Sequence, residues 1–166
     1  MSTGGKKIAV IGAGPAGYTA AQELSKNGYT VDIYDKEDRL GGAIYTGIPE
    51  YRMSKVFLDK VFASMKEDKN ITFHFNTKID CERFEGLRKN YDKVLVATGA
   101  QIENTYGFEP GNGLYAGLTL LYDLNIRGNH EYYKKYKKAM VWGGGNVAMD
   151  CARSLVRIID DVSVVY

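Results

Sequence analysis

A glycine-rich turn near the start of the chain has the residue types and spacing of a phosphate-binding loop. Gly12, Gly14 and Gly17 form the pattern G-x-G-x-x-G directly after the apolar run 8–11, where a buried strand is expected to turn into a helix. In this pattern the first glycine permits a tight turn, the second lets the backbone approach a pyrophosphate, and the third lets the helix pack closely on the strand. Pro15 suits the first helical turn, because its missing N–H costs nothing there and the remaining N–H groups can bind an anion.

The residues after this turn supply the acidic group that a dinucleotide site needs. Small residues at helical spacing predict a helix that ends at Asn27-Gly28, and 31–34 predicts a second strand. Asp35 ends that strand, about 20 residues past the glycines, where an acid takes up a ribose hydroxyl. A dinucleotide site is therefore favoured over a purely structural glycine-rich turn. FAD and NAD share this fingerprint, so the first motif does not decide between them.

A second copy of this design lies near the end of the sequence. After the apolar strand 139–142, Gly143 to Ala148 gives the pattern G-x-G-x-x-A. A helix over 147–159 and a strand over 162–166 are expected to complete a second βαβ unit. Two dinucleotide folds in one chain predict two cofactors brought face to face, which is the arrangement for hydride transfer from a nicotinamide to a flavin.

The position of the ribose acid differs between the two motifs. Asp35 lies 18 positions after Gly17, and the same step from Ala148 arrives at Tyr166. An acid at that position would favour NAD by binding the 2′-hydroxyl of its ribose. A tyrosine removes that argument, so NADP(H) and NAD(H) both stay open at this point.

The segments between the motifs are expected to contribute strands, helices and one long loop. Strands are predicted at 71–75 and 94–96, and leucines at helical spacing predict a helix over about 114–126. The glycine-rich segment 36–52 is either a surface loop or a loop that lies along a flat ring system. His74 is expected to be a satisfied sheet residue. After a cap at Ser54 a helix is predicted, and its apolar stripe comprises Phe57, Val61 and Met65.

Composition excludes several classes of function. With 22 basic and 20 acidic residues the net charge is +2, which does not indicate binding to nucleic acid or to an anionic membrane. For the same reason the Tyr-Lys-rich stretch 132–138 is interpreted as a solvated segment. No apolar run is long enough to span a bilayer and the first residues lack the apolar core of a signal peptide, so a cytoplasmic location is expected. Cys81 and Cys151 are too few to hold zinc or an iron–sulfur cluster and are expected to be buried thiols, so no metal site is predicted.

Six motifs, in this order, carry a resemblance to a known family. They are Gly-x-Gly-Pro-Ala-Gly at 12–17, the acid-Lys pair at 35–36, Leu-Gly-Gly at 40–42, Gly-Ile-Pro-Glu-Tyr-Arg at 47–52, Ala-Thr-Gly at 97–99 and Gly-Gly-Gly-Asn-Val-Ala-Met-Asp-Cys-Ala-Arg at 143–153. The chain resembles the glutamate synthase small-subunit family of FAD- and NAD(P)-dependent oxidoreductases, which includes the flavin parts of dihydropyrimidine dehydrogenase and of ferredoxin-NADP transhydrogenase. The resemblance implies an α/β fold: a Rossmann-like FAD-binding domain over 1–102, a linker and connecting helix over 103–138, and the first βαβ unit of a second, incomplete nucleotide-binding domain over 139–166.

The resemblance also implies cofactor contacts. Asp35 would meet the adenosine ribose, as a shorter replacement for the more frequent glutamate, and Ile79 would meet the adenine through its backbone. The positions implied for FAD are Gly12, Gly14, Pro15, Ala16, Gly17, Asp35, Lys36, Gly42, Ala43, Arg52, Ile79, Thr98 and Gly99. The positions expected to hold NADP(H) or NAD(H) are Gly144, Gly145, Asn146 and Val147. No catalytic side chain is predicted.

The implied function is that of an FAD-dependent NAD(P)H oxidoreductase module, in which a hydride passes to flavin N5 and electrons pass to a partner redox centre. Thiol chemistry is not expected, because 43–50 contains no cysteine and Cys151 has no neighbouring cysteine in the sequence. The implied partner is a larger catalytic or iron–sulfur subunit, and a homo-oligomer stays open. The alternatives are a non-catalytic nucleotide-binding or assembly subunit and an NAD-only binding protein. Because the family continues with arginines and a closing Gly-Asp pair, a fragment of a longer protein is expected rather than a short natural one.

Overall fold

The computed structural model describes residues 5–100 and 102–166, which fall into two compact units. The first comprises the described residues of Met1–Tyr45 and Lys55–Gln101, and the second comprises Thr46–Ser54 and Ile102–Tyr166. Each unit contains a parallel β-sheet with helices in its connections, which confirms the predicted α/β class.

The first unit is built on a four-stranded parallel sheet in the order β3-β2-β1-β4. Strand β1 (Lys7–Ile11) pairs with β2 (Thr30–Tyr34) and β4 (Lys93–Val96), and β3 (Ile71–His74) pairs with β2. Ala9 and Val10 point to opposite faces of β1 and are both fully buried. This central strand is apolar throughout because it is covered on both faces, as its sequence predicts.

The connections of the first unit are helical. They contain α1 (Pro15–Lys26), α2 (Ala43–Thr46), α3 (Lys55–Met65) and α4 (Cys81–Asn90). Helix α1 ends where predicted, with Asn27 as its C-cap and Gly28 in a left-handed conformation at φ +82°. Helix α4 begins at the Asp80 side chain, which accepts a hydrogen bond from the backbone N–H of Arg83.

The buried face of α3 differs from the predicted one. Leu58 and Phe62 are buried in this helix, whereas Phe57 is 60% exposed. The predicted stripe of Phe57, Val61 and Met65 is therefore wrong by one residue. Phe62 takes the inner position because its ring packs closely against the backbone of Gly41 and against Tyr18.

The second unit holds two parallel strands and the helix that connects them. Strand β5 (Lys138–Trp142) pairs with β6 (Asp161–Val165). The elements before β5 are α5 (Gly117–Tyr122), a π-helical turn (Asp123–Arg127) and α6 (His130–Tyr133), and α7 (Asn146–Leu155) follows it. The predicted helices 114–126 and 147–159 thus exist, the first beginning three residues later than expected and the second ending four residues earlier.

An apolar cluster of buried residues lies in the second unit. Leu121 of α5, Val141 of β5 and Leu155 of α7 are buried in it, together with Cys151. Asp123 is also buried, and its carboxylate accepts hydrogen bonds from the Tyr133 hydroxyl and the Asn129 amide, each at 2.8 Å. These hydrogen bonds satisfy the buried carboxylate of Asp123, and the bond from Tyr133 connects the π-helical turn to α6.

Two features are absent from residues 5–100 and 102–166. No helix in these ranges has the length and apolar character needed to cross a membrane. No group of three or more His, Cys, Asp or Glu side chains there lies close enough together to hold a metal ion.

Candidate nucleotide-binding sites

The first glycine loop follows the carboxyl end of β1, and two of its glycines are required by the fold. Gly12 has φ +107°, and a Cβ atom there would lie 2.7 Å from the carbonyl carbon of Ala97 and still closer to its oxygen. A Cβ atom on Gly17 would overlap the carbonyl oxygen of Gly12. The turn and the packing of α1 therefore exclude any side chain at these two positions.

Gly14, between them, is not required by the fold. Its backbone has φ −74° and ψ −178°, which any residue adopts, and an added Cβ atom would come no nearer than 3.8 Å to another atom, the Cα of Gly42. Gly14 is also the N-cap of α1, and no side chain among the described residues caps that helix end. The loop thus leaves open space beside the N–H groups of the first turn, and this space fits a pyrophosphate that approaches the backbone.

Asp35 lies at the edge of the same loop. Its Oδ2 accepts a hydrogen bond from the N–H of Ala13 at 2.6 Å, and its Oδ1 accepts one from the N–H of Glu37 at 2.8 Å. Each carboxylate oxygen keeps a second lone pair for a ribose hydroxyl. Lys36, beside it, has its ammonium 3.9 Å from the carboxylate of Glu37.

The other predicted FAD positions of the first unit divide into two groups. Gly42 lies against the loop, since a Cβ atom on it would be 2.9 Å from the Cα of Gly14, and Ala43 follows as the first residue of α2. Thr98 also meets the loop, because its Cα is 3.2 Å from the Cβ position of Gly12, and Gly99 follows it in a left-handed conformation. Ile79 instead packs against the core cluster of Ala9, Ile11 and Leu87.

The second glycine loop repeats the geometry of the first. Gly143 has φ +127° and donates its N–H to the carbonyl of Val165 at 2.7 Å. Gly145 has φ −79° and ψ 177°, and a Cβ atom on it would meet nothing within 4 Å. Helix α7 begins directly afterwards at Asn146 and Val147, and no side chain among the described residues caps its N-terminus. A second open space therefore lies at a helix N-terminus, and it too fits a nucleotide phosphate.

Arg52 belongs to the second unit, where its partner is a residue that sequence reasoning missed. Its guanidinium is 2.7 Å from the carboxylate of Asp150, a buried residue of α7. The Tyr51 hydroxyl donates a hydrogen bond to the backbone carbonyl of Asp150 at 3.2 Å. The guanidinium groups of Arg153 and Arg157 lie over the Tyr51 ring, at 4.9 and 4.1 Å from its centroid. The segment around Arg52 is thereby fixed to the helix of the second glycine loop. An unpaired carboxylate on the inner face of a predicted helix was the only sequence signal for this contact.

A polar cluster lies at the centre of the first sheet. Asp32 of β2 is buried, and its carboxylate contacts the ammonium of Lys7 at 2.8 Å, the ring of His74 at 2.7 Å and the hydroxyl of Tyr91 at 2.9 Å. Burial raises the pKa of Asp32, but the hydrogen bonds from these three groups outweigh burial and hold the pKa below its usual value. His74 is a satisfied sheet residue, as expected from the sequence.

The two cysteines differ in environment. Burial raises the pKa of Cys151 to about 12, and the charges of Asp150 and Glu103 act in the same direction. Its thiol is therefore protonated at neutral pH. Cys81 is exposed at the first position of α4, so the prediction that both thiols are buried was wrong for this one.

A groove of about 620 Å³ lies away from the glycine loop of the first unit. It is lined by the start of β1, the second half of α1 and strand β4, including Ile8, Leu24 and Leu95. The groove contains none of the predicted cofactor-binding residues.

Comparisons with known proteins identify the family. The sequence profile described as pyridine nucleotide-disulphide oxidoreductase matches residues 6–166. The chain is 38% identical over 160 residues to the NADP(+)-dependent formate dehydrogenase subunit beta of Moorella thermoacetica, covering 93% of this chain and 22% of that protein. It is 34% identical over 166 residues to the glutamate synthase [NADPH] small chain of Azospirillum brasilense, covering 92% of this chain and 34% of that protein. The resemblance drawn from the motifs is confirmed, and the chain spans about a third or less of these relatives' lengths.

Solved structures share the fold. Mycobacterium tuberculosis FprA in complex with NADPH has a TM-score of 0.79 at 22% sequence identity, over 96% of this chain and 43% of that chain. Putidaredoxin reductase in its covalent complex with putidaredoxin has a TM-score of 0.57 at 14% identity, over 99% of this chain and 42% of that chain. These likenesses agree with the Rossmann-like α/β architecture expected from the sequence.

Proposed function

Because the chain belongs to the pyridine nucleotide-disulphide oxidoreductase family, we propose that it is the cofactor-binding part of an FAD-dependent NAD(P)H oxidoreductase of the glutamate synthase small-chain type. Proteins of this family use FAD and NADP(H). The observation that supports the proposal most directly is the pair of open spaces at Gly14 and Gly145. Neither backbone conformation nor packing demands a glycine at these positions, whereas the approach of a phosphate does.

We assign FAD to the first loop and NADP(H) to the second. In the first unit, the N–H groups at the start of α1 would bind the FAD pyrophosphate and Asp35 would orient the adenosine ribose. In the second unit, the N–H groups at the start of α7 would bind the pyrophosphate of NADP(H). When bound, FAD supplies hydride chemistry at N5, so the task of the protein is binding and orientation.

The electrons are proposed to leave the flavin for a separate redox centre. Disulfide chemistry requires a pair of reactive cysteines, but Cys151 is a buried thiol whose raised pKa keeps it protonated at neutral pH. The relatives named subunit beta and small chain are components of multi-subunit enzymes. By analogy, we propose a larger catalytic or iron–sulfur subunit as the partner of this protein.

Flavin binding provides the direct test. The protein is purified at its natural length, and its visible absorption spectrum is recorded before and after incubation with FAD and removal of the excess. The proposal predicts flavin bands that remain with the protein at a stoichiometry near one. A protein that retains no flavin, yet binds NADH, would refute it and favour an NAD-only binding protein.

A further inference from the structure

The Tyr-Lys-rich stretch 132–138 is a sequence motif that the proposed function does not use. Its interpretation as a solvated segment holds only in part, because Tyr133 is buried. Together with Tyr115, the tyrosines of this stretch form an aromatic cluster in the second unit, in which neighbouring ring centroids are between 5.1 and 6.1 Å apart. We call this set the tyrosine cluster, and its members are Tyr115, Tyr132, Tyr133 and Tyr136. Tyr132 is 50% exposed, whereas Tyr115 and Tyr136 are half-buried.

Two members of the tyrosine cluster keep their protons at neutral pH. The Tyr133 hydroxyl donates a hydrogen bond to the Asp123 carboxylate at 2.8 Å. Burial raises the pKa of Tyr133, and the hydrogen bond to Asp123 raises it further. Hydrogen bonds with Tyr132 and Tyr136 raise the pKa of Tyr115. Neither phenol is therefore available as a phenolate.

A chain of hydrogen-bonded hydroxyl groups ends at Tyr132. The Tyr115 hydroxyl oxygen lies 2.7 Å from that of Tyr136 and 3.2 Å from that of Tyr132. Each phenol has one proton to donate, so a chain that runs from Tyr136 through Tyr115 brings a donor to the Tyr132 oxygen. A hydrogen bond received there stabilises the phenolate form of Tyr132.

A cation lies directly beside Tyr132. The Lys135 ammonium is 3.6 Å from the centroid of the Tyr132 ring. A hydrogen bond from Lys135 is the largest cause that lowers the pKa of Tyr132, and the hydrogen bond from Tyr115 acts in the same direction. Glu131, the acidic residue next to Tyr132 in the sequence, pairs with Lys134. Tyr132 is thus an exposed phenol whose surroundings favour its ionised form.

We propose that Tyr132 is a site of covalent modification, at which the phenolic oxygen attacks activated donors with a tetrahedral phosphorus or sulfur centre and Lys135 is the positioning residue. A bond forms between this oxygen and the phosphorus or sulfur atom, the leaving group departs with the electron pair of the bond that breaks, and the phenolic proton passes to water. Because the phenolate is the reactive form, the neighbouring cation and hydrogen-bond donor increase the reactive fraction. This inference does not depend on the proposed nucleotide sites.

Benzenesulfonyl fluoride is a suitable probe, because its transfer to a phenol releases only fluoride and a proton. The natural-length protein is treated at mildly alkaline pH, and peptide mass spectrometry gives the rate of modification at each tyrosine. Tyr106 is the internal reference, since it is 74% exposed and its ring packs beside Trp142. Exposure alone would make Tyr106 the faster of the two. We expect Tyr132 to react about 5-fold faster than Tyr106, which is the effect of one unit charge about 4 Å away in water.

Three variants locate the cause of this reactivity. Lys135→Met removes the cation, so the rate at Tyr132 should fall about 5-fold while the rate at Tyr106 stays the same. The matched control Lys137→Met removes another exposed lysine of the same stretch and should leave both rates near those of the wild type. Tyr115→Phe keeps the ring and removes the hydroxyl, so it should slow the reaction at Tyr132 and shift its pH profile to higher pH.

The outcomes decide the proposal in either direction. A faster reaction at Tyr132 that is lost in Lys135→Met and kept in Lys137→Met supports it. If Tyr132 reacts no faster than Tyr106 in the wild type, the proposal is refuted. A ratio of the two rates that is unchanged in Lys135→Met, or that falls equally in Lys137→Met, refutes the role of Lys135.

Discussion

Replacing Gly14 by alanine should remove FAD binding while leaving the fold intact. The backbone at Gly14 has φ −74° and ψ −178°, and the new methyl group would make only an ordinary contact with Gly42 at 3.8 Å. Alanine reduces the conformational freedom of the unfolded chain, which stabilises the folded protein by about 0.4–1 kcal/mol. Alanine is also a poorer N-cap than glycine, which destabilises the folded protein by a similar amount. The free energy of unfolding should therefore change by less than about 1 kcal/mol.

The effect on binding should be far larger. The methyl group of alanine at position 14 points into the space assigned to the pyrophosphate and keeps its oxygens away from the N–H groups of α1. Hydrogen bonds to a charged group are worth about 1.5–3 kcal/mol each, so the loss of two amounts to roughly 3–6 kcal/mol, or at least a hundredfold in the dissociation constant. Flavin fluorescence during titration with FAD measures this constant, and thermal unfolding followed by circular dichroism measures stability.

A matched control separates binding from folding within the same motif. Gly17→Ala adds the same methyl group three residues later, where it would overlap the carbonyl oxygen of Gly12. This variant should unfold at a markedly lower temperature than Gly14→Ala. The reasoning is refuted if Gly14→Ala binds FAD as the wild type does, or if it is destabilised as strongly as Gly17→Ala.

Three further predictions concern residues outside the loops. Asp32→Asn should lower the free energy of unfolding by about 2 kcal/mol at neutral pH. The pKa of Asp32 lies below 3.8 in the folded protein, so the stability that its carboxylate contributes is lost as the pH falls from 3.8 through the native pKa. The difference in free energy of unfolding between wild type and Asp32→Asn should therefore shrink over that range. Urea unfolding that gives the same difference at every pH would contradict this prediction. Iodoacetamide should modify Cys81 in the native protein well before Cys151, because Cys151 is buried and has a pKa of about 12. Mass spectrometry measures the two rates of modification, and equal rates would be inconsistent with this burial. Asp150→Ala should lower the free energy of unfolding by about 1–2 kcal/mol, because Asp150 is a buried carboxylate that pairs with Arg52. The control Asp161→Ala removes an exposed ion pair and should lower it by less than about 0.5 kcal/mol. Similar losses in the two variants would show that burial of Asp150 has no effect.

The parts of the fold that sequence reasoning predicted well are those in which local pattern and tertiary environment agree. The apolar run of β1 predicts a strand covered on both faces, and Ala9 and Val10 are buried on opposite sides of it. The glycines at 12 and 17 predict a tight turn and a close helix, and both are sterically required. The two glycine positions accept one residue type and the buried strand positions accept only apolar ones, so the sequence carries the information directly.

Predictions failed where a position accepts several residue types and a distant contact decides. The face of α3 depends on Phe62, whose ring packs on Gly41, and the periodicity of the helix does not distinguish that stripe from the one through Phe57. The pairing of Arg52 with Asp150 joins residues 98 positions apart and was not predicted. The motif around Arg52 predicts a cofactor-lining residue, and that stays a prediction, but the spacing of the motif carries no information about the carboxylate that pairs with Arg52.

Electron transfer from NADPH to a bound flavin is the activity proposed for this protein, and anaerobic reduction of the flavin tests it. The natural-length protein is loaded with FAD, freed of excess flavin and mixed with NADPH in the absence of oxygen, while its visible absorbance is followed. NADPH should bleach the flavin bands, and NADH should bleach them more weakly at equal concentration. A protein that holds FAD but keeps its oxidised spectrum with both NADPH and NADH would rule out this electron transfer and identify a non-catalytic nucleotide-binding subunit.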